Sequence, residues 1–496
     1  MKSRSRSYLR TLLFLTSLFM TCIAYSQVYV KSDFQVSDFT GYIYTDAELS
    51  VSNTGEMVVV WETAGLGDIH FRIVSSLGEQ LGPQIALPTT FSTDDTRVGH
   101  NDSGNFMIMF NAYGAYWYVL GQSYTSEGVP LTDTMVVSRN TTEMINLYHS
   151  SLRSNKEGQF GAFLPGLDSA MVEMFTGNGE YLSGPVVFKP DAVITHEIHG
   201  LMTYSGEHIM VWLDGASGDI EGQRYSADGT PVGEVFQVNE MIEGSYVSNA
   251  LLCADTAGNF AVIWTNSLNS ELDIYSQKFS KEGSPIGGNV RVTDDNALFL
   301  GQGVSMDMDI DGNFVVAWSD TRSSDTSFIY MQQFDELAQP VGGNFRATSI
   351  NNQDSQGMAS LPEQTAPSVR ILRDTIYLAW VNFNENLHYQ NIIFANIQEW
   401  STPDVTGLRQ SLGSTERLSI YPNPSSGDLT IQFSRPMQGD CELSLFNSAG
   451  TLILRSTLHL NSQIVKIELP ELQEGLYYLE INGNDHRSAT PVLIKK

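Results

Sequence analysis

The chain has 496 residues with 56 acidic and 27 basic side chains, a formal net charge of −29. An excess of that sign repels phosphate backbones and anionic lipid, which excludes nucleic acid and the membrane surface as partners. A hydrophobic content of 42% is ordinary for a packed core, and the length has room for one large domain plus a smaller one.

The first stretch is a processing segment. Lys2, Arg4, Arg6 and Arg10 make a basic start, Thr11–Ala24 is apolar, and small residues stand at Ala24 and Ser26. This is the pattern of a signal peptide over 1–26, cut before Gln27, and its apolar run is short for a bilayer span. Its removal takes the net charge to −33 and leaves no transmembrane span. The remaining cysteines, Cys253 and Cys441, are too few for a disulfide framework and read as buried small apolar groups.

From there a phrase recurs. Its best copy is Asp311–Asp320, DGNFVVAWSD, and others are Gly55–Trp61, Gly104–Phe110, Gly158–Leu164, Gly206–Trp212, Gly258–Trp264 and Asp374–Trp380. The closing residues Trp61, Phe110, Leu164, Trp212, Trp264, Trp318 and Trp380 are spaced by 49, 54, 48, 52, 54 and 62. A period near 50 marks a propeller or a solenoid, in which each repeat is one supersecondary unit.

In the best copy Val304–Ile310 alternates polar and apolar, Asp311–Gly312 is the hairpin turn, and Asn313–Trp318 is an apolar strand covered on both faces. Phe328–Phe334 is a third strand, Pro340–Gly343 a turn, and Phe345–Thr348 a short fourth strand. Four short strands per unit describe a propeller blade. The last repeat has no fourth strand, while an orphan copy, Asp33–Val36, stands at the other end. The fold expected is therefore all-β: a seven-bladed β-propeller over 27–400 with four-stranded blades, its N-terminal strand closing the last one. Closure removes an unpaired edge. The recurring Trp and Phe positions read as packing between blades, and function is expected in the loops that differ.

Ser401–Glu416 is polar with Pro and Gly and reads as a linker over 401–416. Residues 417–496 then carry many short strands, which fits a small Ig-like β-sandwich. Within them stand Tyr421-Pro422-Asn423-Pro424, a turn ending at Gly450, Gly475-x-Tyr477, and a closing Lys495-Lys496. These motifs in this order resemble the type A C-terminal sorting domain of the type nine secretion system of Bacteroidetes. The resemblance implies that the chain meets the secretion machinery at the outer membrane and ends up secreted or anchored at the outer cell surface.

Chemistry is harder to find. His196-Glu197-Ile198-His199 has a spacing of three in a strand context, where a zinc protease needs four on one helical face. On a regular strand that spacing sends the two imidazoles to opposite faces, so no metal site and no cofactor is expected. Calcium on acidic loops stays open. Glu62, Asp214 and Asp320 stand just past the closing tryptophans, and paired carboxylates on one ring face would suit glycoside hydrolysis or calcium; they read equally as polar strand ends. Asp133-Thr134-Met135, Asp168-Ser169-Ala170 and Asp255-Thr256-Ala257 resemble short acceptors of Bacteroidetes O-glycosylation. The reading that follows leans away from an enzyme: an exported propeller that binds a glycan or protein ligand. The alternative is a secreted polysaccharide hydrolase or lyase with its site on one ring face.

Overall fold

In a computed structural model the described residues are 29–38, 43–63, 68–87, 92–113, 117–140, 147, 150–190, 194–240, 242–269, 271–294, 299–322, 327–349, 363–383 and 392–400 of the repeats. In the tail they are 418–421, 429–433, 439–447, 452–460, 464–467, 469, 472, 475–483 and 486–494. The leader 1–26 and the linker 401–416 lie outside them. Contacts along the chain define one compact unit over Gln27–Thr402 and a second that includes Pro403–Lys496.

Strand β1 is Tyr29–Gln35. Blade 1 is β2 (Ile43–Val51), β3 (Met57–Thr63), β4 (Ile69–Val74) and β5 (Ile85–Leu87). Blade 2 is β6 (Ser92–His100), β7 (Phe106–Tyr113), β8 (Trp117–Tyr124) and β9 (Met135–Asn140). Blade 3 is β10 (Ser151–Ser154), β11 (Phe160–Pro165), β12 (Ala170–Phe175) and β13 (Tyr181–Phe188). Blade 4 is β14 (Ile194–Met202), β15 (His208–Asp214), β16 (Ile220–Tyr225) and β17 (Pro231–Gln237). Blade 5 is β18 (Tyr246–Ala254), β19 (Phe260–Leu268), β20 (Glu271–Phe279) and β21 (Pro285–Arg291). Blade 6 is β22 (Phe299–Met308), β23 (Phe314–Asp320), β24 (Phe328–Phe334) and β25 (Pro340–Arg346). Blade 7 has β26 (Glu363–Leu372), β27 (Thr375–Phe383) and β28 (Ile392–Glu399), with β1 as its outermost strand. The result is a seven-bladed propeller of four-stranded antiparallel sheets, whose innermost strands touch in a closed ring.

The repeated phrase has a local cause. Asp309 Oδ1 accepts the backbone N–H groups of Asp311 and Asn313, each at 2.9 Å, and Asn101 Oδ1 does the same for Ser103 and Asn105 at 3.1 Å. A side-chain oxygen that caps the hairpin in this way holds the turn by contacts within the turn itself. Gly312 then adopts φ +85°, and a Cβ there would stand 2.8 Å from Lys278 Nζ.

After each turn the apolar strand is buried on both faces. Seven separate apolar clusters each combine residues of two neighbouring blades. Trp318 packs with Cys253 and Ile263 of blade 5, and Trp61 with Tyr377 and Ile393 of blade 7. The closing residues are thus seam packing, as their recurrence implies.

The ring closes through β1. It pairs antiparallel with β28 from Tyr29↔Gln398 to Gln35↔Phe394. Asp33 accepts from Asn396 Nδ2 at 2.8 Å and from the Ser349 N–H at 2.7 Å, and Ser37 Oγ accepts from the Ile393 N–H at 3.0 Å. Buried Arg72 of blade 1 donates to Val36 O and Asp38, clasping the segment that leaves β1. One expectation needs correction. Pro340–Gly343 is not a turn but the first half of β25, with Pro340 opposite Phe334. The outermost strand has no further partner, so it tolerates a proline without an N–H and a bulge at Gly342, where φ is +72°.

The tail unit holds a three-stranded sheet of β29 (Leu418–Tyr421), β30 (Leu429–Phe433) and β33 (Ile464–Ile467). A four-stranded sheet orders β32 (Leu452–Leu460), β31 (Gly439–Asn447), β34 (Gly475–Gly483) and β35 (His486–Ile494). Leu429, Ile431 and Ile467 of the first share an apolar cluster with Leu443, Leu445, Leu479 and Ile494 of the second. Among the described residues of the chain there is no α-helix, and none long and apolar enough to cross a membrane.

Candidate functional site

Each of the three carboxylates singled out by sequence sits at the end of its blade's second strand and is buried, Glu62 to 6%, Asp214 to 8% and Asp320 to 0% exposure. They belong to three different blades, 1, 4 and 6. Asp320 Oδ2 accepts Trp318 Nε1 at 2.9 Å and Arg322 Nε at 2.8 Å, while Oδ1 accepts the Arg322 N–H at 2.7 Å. Arg322 continues to Asp294 at 2.5 Å and lies over the Tyr330 ring at 4.7 Å. Burial alone would lower its pKa, but the hydrogen bonds to Asp320 and Asp294 hold it above the ordinary value. Asp214 Oδ2 caps the following turn through the N–H groups of Ala216 and Ser217, at 3.2 and 2.7 Å. Its charge, after burial itself, helps hold Glu221 above the usual carboxylate range. Glu62 lies opposite Ile69 at the β3–β4 end. Among the described residues no three His, Cys, Asp or Glu groups stand together as a metal site.

The His-Glu-x-His run lies on β14. A register shift between Ile194 and Ile198 interrupts the alternation, so the simple opposite-face argument does not hold there. Glu197 Oε2 accepts the Asn249 N–H of blade 5 at 2.8 Å, and burial raises its pKa. His199 is buried, and the side chain of His196 lies outside the described residues. Thr134 and Thr256 are exposed and Ser169 half-exposed.

What sequence reasoning missed lies on the ring axis. The inner edge of each sheet presents backbone donors and acceptors that need partners. Polar side chains of the neighbouring blade supply them. Ser368 Oγ accepts the Leu49 N–H at 3.1 Å, Ser50 Oγ the His100 N–H at 3.1 Å, and Ser305 Oγ the Val369 N–H at 3.1 Å. Ser151 Oγ donates to Gly200 O at 2.8 Å, and Arg97 Nε to Ser150 O at 3.3 Å. Asp307 Oδ2 accepts the Ile371 N–H at 3.0 Å, and Arg370 pairs with Glu48 at 2.6 Å. Blades 5 and 6 are joined further out, where buried Lys278 Nζ donates to Gly312 O and Glu336 O at 2.6 and 2.8 Å. One residue departs from this pattern. Arg153 of blade 3 reaches across the ring to Asp307 of blade 6, at 3.3 and 3.4 Å to a single oxygen. The sequence signal was a charge at a strand position whose counterparts are Leu201 and Cys253 in blades 4 and 5 but Asp307 and Arg370 in blades 6 and 7.

A cleft between blades 4 and 5, lined by Glu207, His208, Arg224, Tyr225 and Lys281 among others, holds about 10 Å³. That is room for about one water. His208 is buried there beside Phe188, and desolvation brings its pKa down to about 4.

In the tail Tyr477 is buried in the shared cluster and Tyr421 and Gly475 lie in β29 and β34. Pro422, Asn423, Pro424, Gly450, Lys495 and Lys496 lie outside the described residues.

Residues 419–496 match a family model described as a secretion system C-terminal sorting domain. The chain thus ends in a type nine sorting domain that directs it to that secretion machinery and to the outer surface. No curated protein matches the sequence. Among solved structures, a fungal alcohol oxidase in complex with copper is 13% identical with a TM-score of 0.47, over 94% of this chain and 100% of its own. An α-L-arabinofuranosidase of Fusarium graminearum in complex with arabinobiose is 10% identical with a TM-score of 0.40, over 63% of this chain and 95% of its own. An ulvan lyase is 9% identical with a TM-score of 0.44, over 76% and 97%. These likenesses concern overall shape and transfer no residue of a site.

Proposed function

We propose that the chain is an exported propeller that binds an extracellular glycan or protein through its ring without transforming it. The observation that carries this reading is the state of two of the three strand-end carboxylates, Asp320 and Asp214. A hydrolase of the two-carboxylate type needs a pair about 5–10 Å apart across a substrate. Here Asp320 is locked against Arg322 and Trp318, and Asp214 caps its own turn. These contacts support strand-end roles rather than acid–base work.

The rest of the reading follows the chain. The leader over 1–26 is removed before Gln27, the ring folds outside the cytoplasm, and the tail, read as an Ig-like sandwich, presents the address. Purified protein without its leader is applied to a glycan array, and the same preparation is assayed for reducing-sugar release from plant and marine polysaccharides. Saturable binding without product is the expected result. Sustained release of product overturns the binding reading. Melting with and without a chelator examines calcium on the acidic turns, and a lowered melt would assign the ion a structural place.

A further inference from the structure

The axial side chains fall into two kinds. Ser50, Ser151, Ser305, Ser368 and Asp307 each complete a backbone group of an adjacent blade. They are explained by the needs of a sheet edge. Arg153 is not. Among the described residues its guanidinium serves no backbone group and instead meets one oxygen of Asp307, three blades away one way round the ring and four the other. Both bonds are long for a charged pair, whose N–H···O distance is about 2.7–2.9 Å when well formed. Both also end on one oxygen, so the side-by-side fork that makes such pairs strong is not formed. Asp307 is itself tied to the Ile371 N–H by its other oxygen and cannot turn to improve the fit.

The surroundings add to this. A guanidinium carries about five N–H donors. Two are used here, and the side chain is 32% exposed. It is therefore partly open to solvent, with donors to spare. Arg370 nearby is instead held in a short pair with Glu48 and by Val369 O, and its side chain is less exposed. Cys253, close enough to feel both Arg153 and Asp307, is buried and uncharged by desolvation.

We infer that Arg153 is a ligand-recognition residue that takes a carboxylate or sulfate group entering the axial passage. The inference deepens the binding reading above by naming the chemistry of the ligand: a saccharide with isolated acidic groups. A densely charged polyanion is disfavoured, because the net charge of −33 without the leader opposes its approach, whereas one oxyanion at short range gains two parallel N–H···O bonds.

The test uses the full chain without its leader and calorimetric titration with three probes: glucuronate, inorganic sulfate and glucose. Glucuronate is expected to bind, glucose not to bind, and Arg153→Met to weaken glucuronate about tenfold or more, while the melting temperature moves by no more than about 1 °C. Arg153→Lys keeps the charge without the fork and is expected to fall between. Sulfate binding without glucuronate binding overturns the saccharide assignment. Lack of binding by either anion, or a melt lowered by several degrees in Arg153→Met with binding unchanged, overturns the site and makes Arg153 a cross-brace. Array binding to neutral glycans that survives Arg153→Met removes this inference while leaving the binding reading in place.

Discussion

Replacing Asp320 with alanine is the sharpest probe of how the ring face is built. The carboxylate is fully buried and accepts from Trp318 Nε1, Arg322 Nε and the Arg322 N–H. Alanine leaves the indole N–H without a partner and Arg322, whose side chain is 12% exposed, with Asp294 alone for charge. Removing one member of a buried pair costs about 3–5 kcal/mol, most of it from the charge left behind. With an unfolding entropy of about 2.1 cal/mol/K per residue over roughly 370 residues, that loss lowers the melting temperature by about 4–6 °C. The assay is paired: calorimetry on the variant and on Asp320→Ala combined with Arg322→Met. The double variant is expected to regain at least about half of the loss, since no buried charge then lacks a partner. Should Asp320→Ala melt within about 0.5 kcal/mol of the native chain, the carboxylate is not structural and the reasoning fails.

Three further outcomes follow from the same structure. A chain lacking residues 27–38 leaves the β28 edge open and is expected to self-associate, with a synthetic peptide of those residues restoring the monomer; a monodisperse, equally stable truncated chain would contradict the closure. Burial depresses His208 to about 4, so its contribution is complete above the unfolded value near 6.5 and declines as pH falls through that value toward 4. At pH 5 the loss is about 2 kcal/mol, and His208→Phe should reduce the difference in stability between pH 8 and pH 5 by that amount; an unchanged difference refutes a neutral buried imidazole. Arg373 holds φ +55° in the two-residue turn between β26 and β27, and Arg373→Gly should raise stability by about 0.5–1 kcal/mol in urea titration, an unchanged midpoint counting against strain there.

Much of the architecture was legible because it is written locally and repeatedly. The Asp309-x-x-Gly312 turn carries its own cap, and Trp318 or its counterparts must be large and apolar to fill a seam. The orphan strand near Asp33 was readable because a missing element in blade 7 had a matching surplus elsewhere. Pro340–Gly343 misled, since a Pro-x-Gly-Gly run signals a turn unless one knows the strand is outermost. The axial chemistry was illegible for a different reason. Arg153 and Asp307 are 154 residues apart, and each looks like an ordinary polar position in an alternating strand. Their meeting depends on how many blades separate them, a property of the closed ring and not of either segment. The carboxylates past the tryptophans show the converse: prominent in sequence, they are bound up in local turns.

The pairing of Tyr29–Gln35 with Ile392–Glu399 has a bearing on the order of events during synthesis. The strand made first by the ribosome is the last to find its place, waiting some 360 residues for Phe394 and Gln398, and drawing such distant segments together costs about 5 kcal/mol of chain freedom. Translation therefore delivers the final partner only just before the sorting sequence emerges, so a chain truncated anywhere upstream lacks both a finished toroid and an export address. Incomplete products therefore do not reach the outer surface as folded rings.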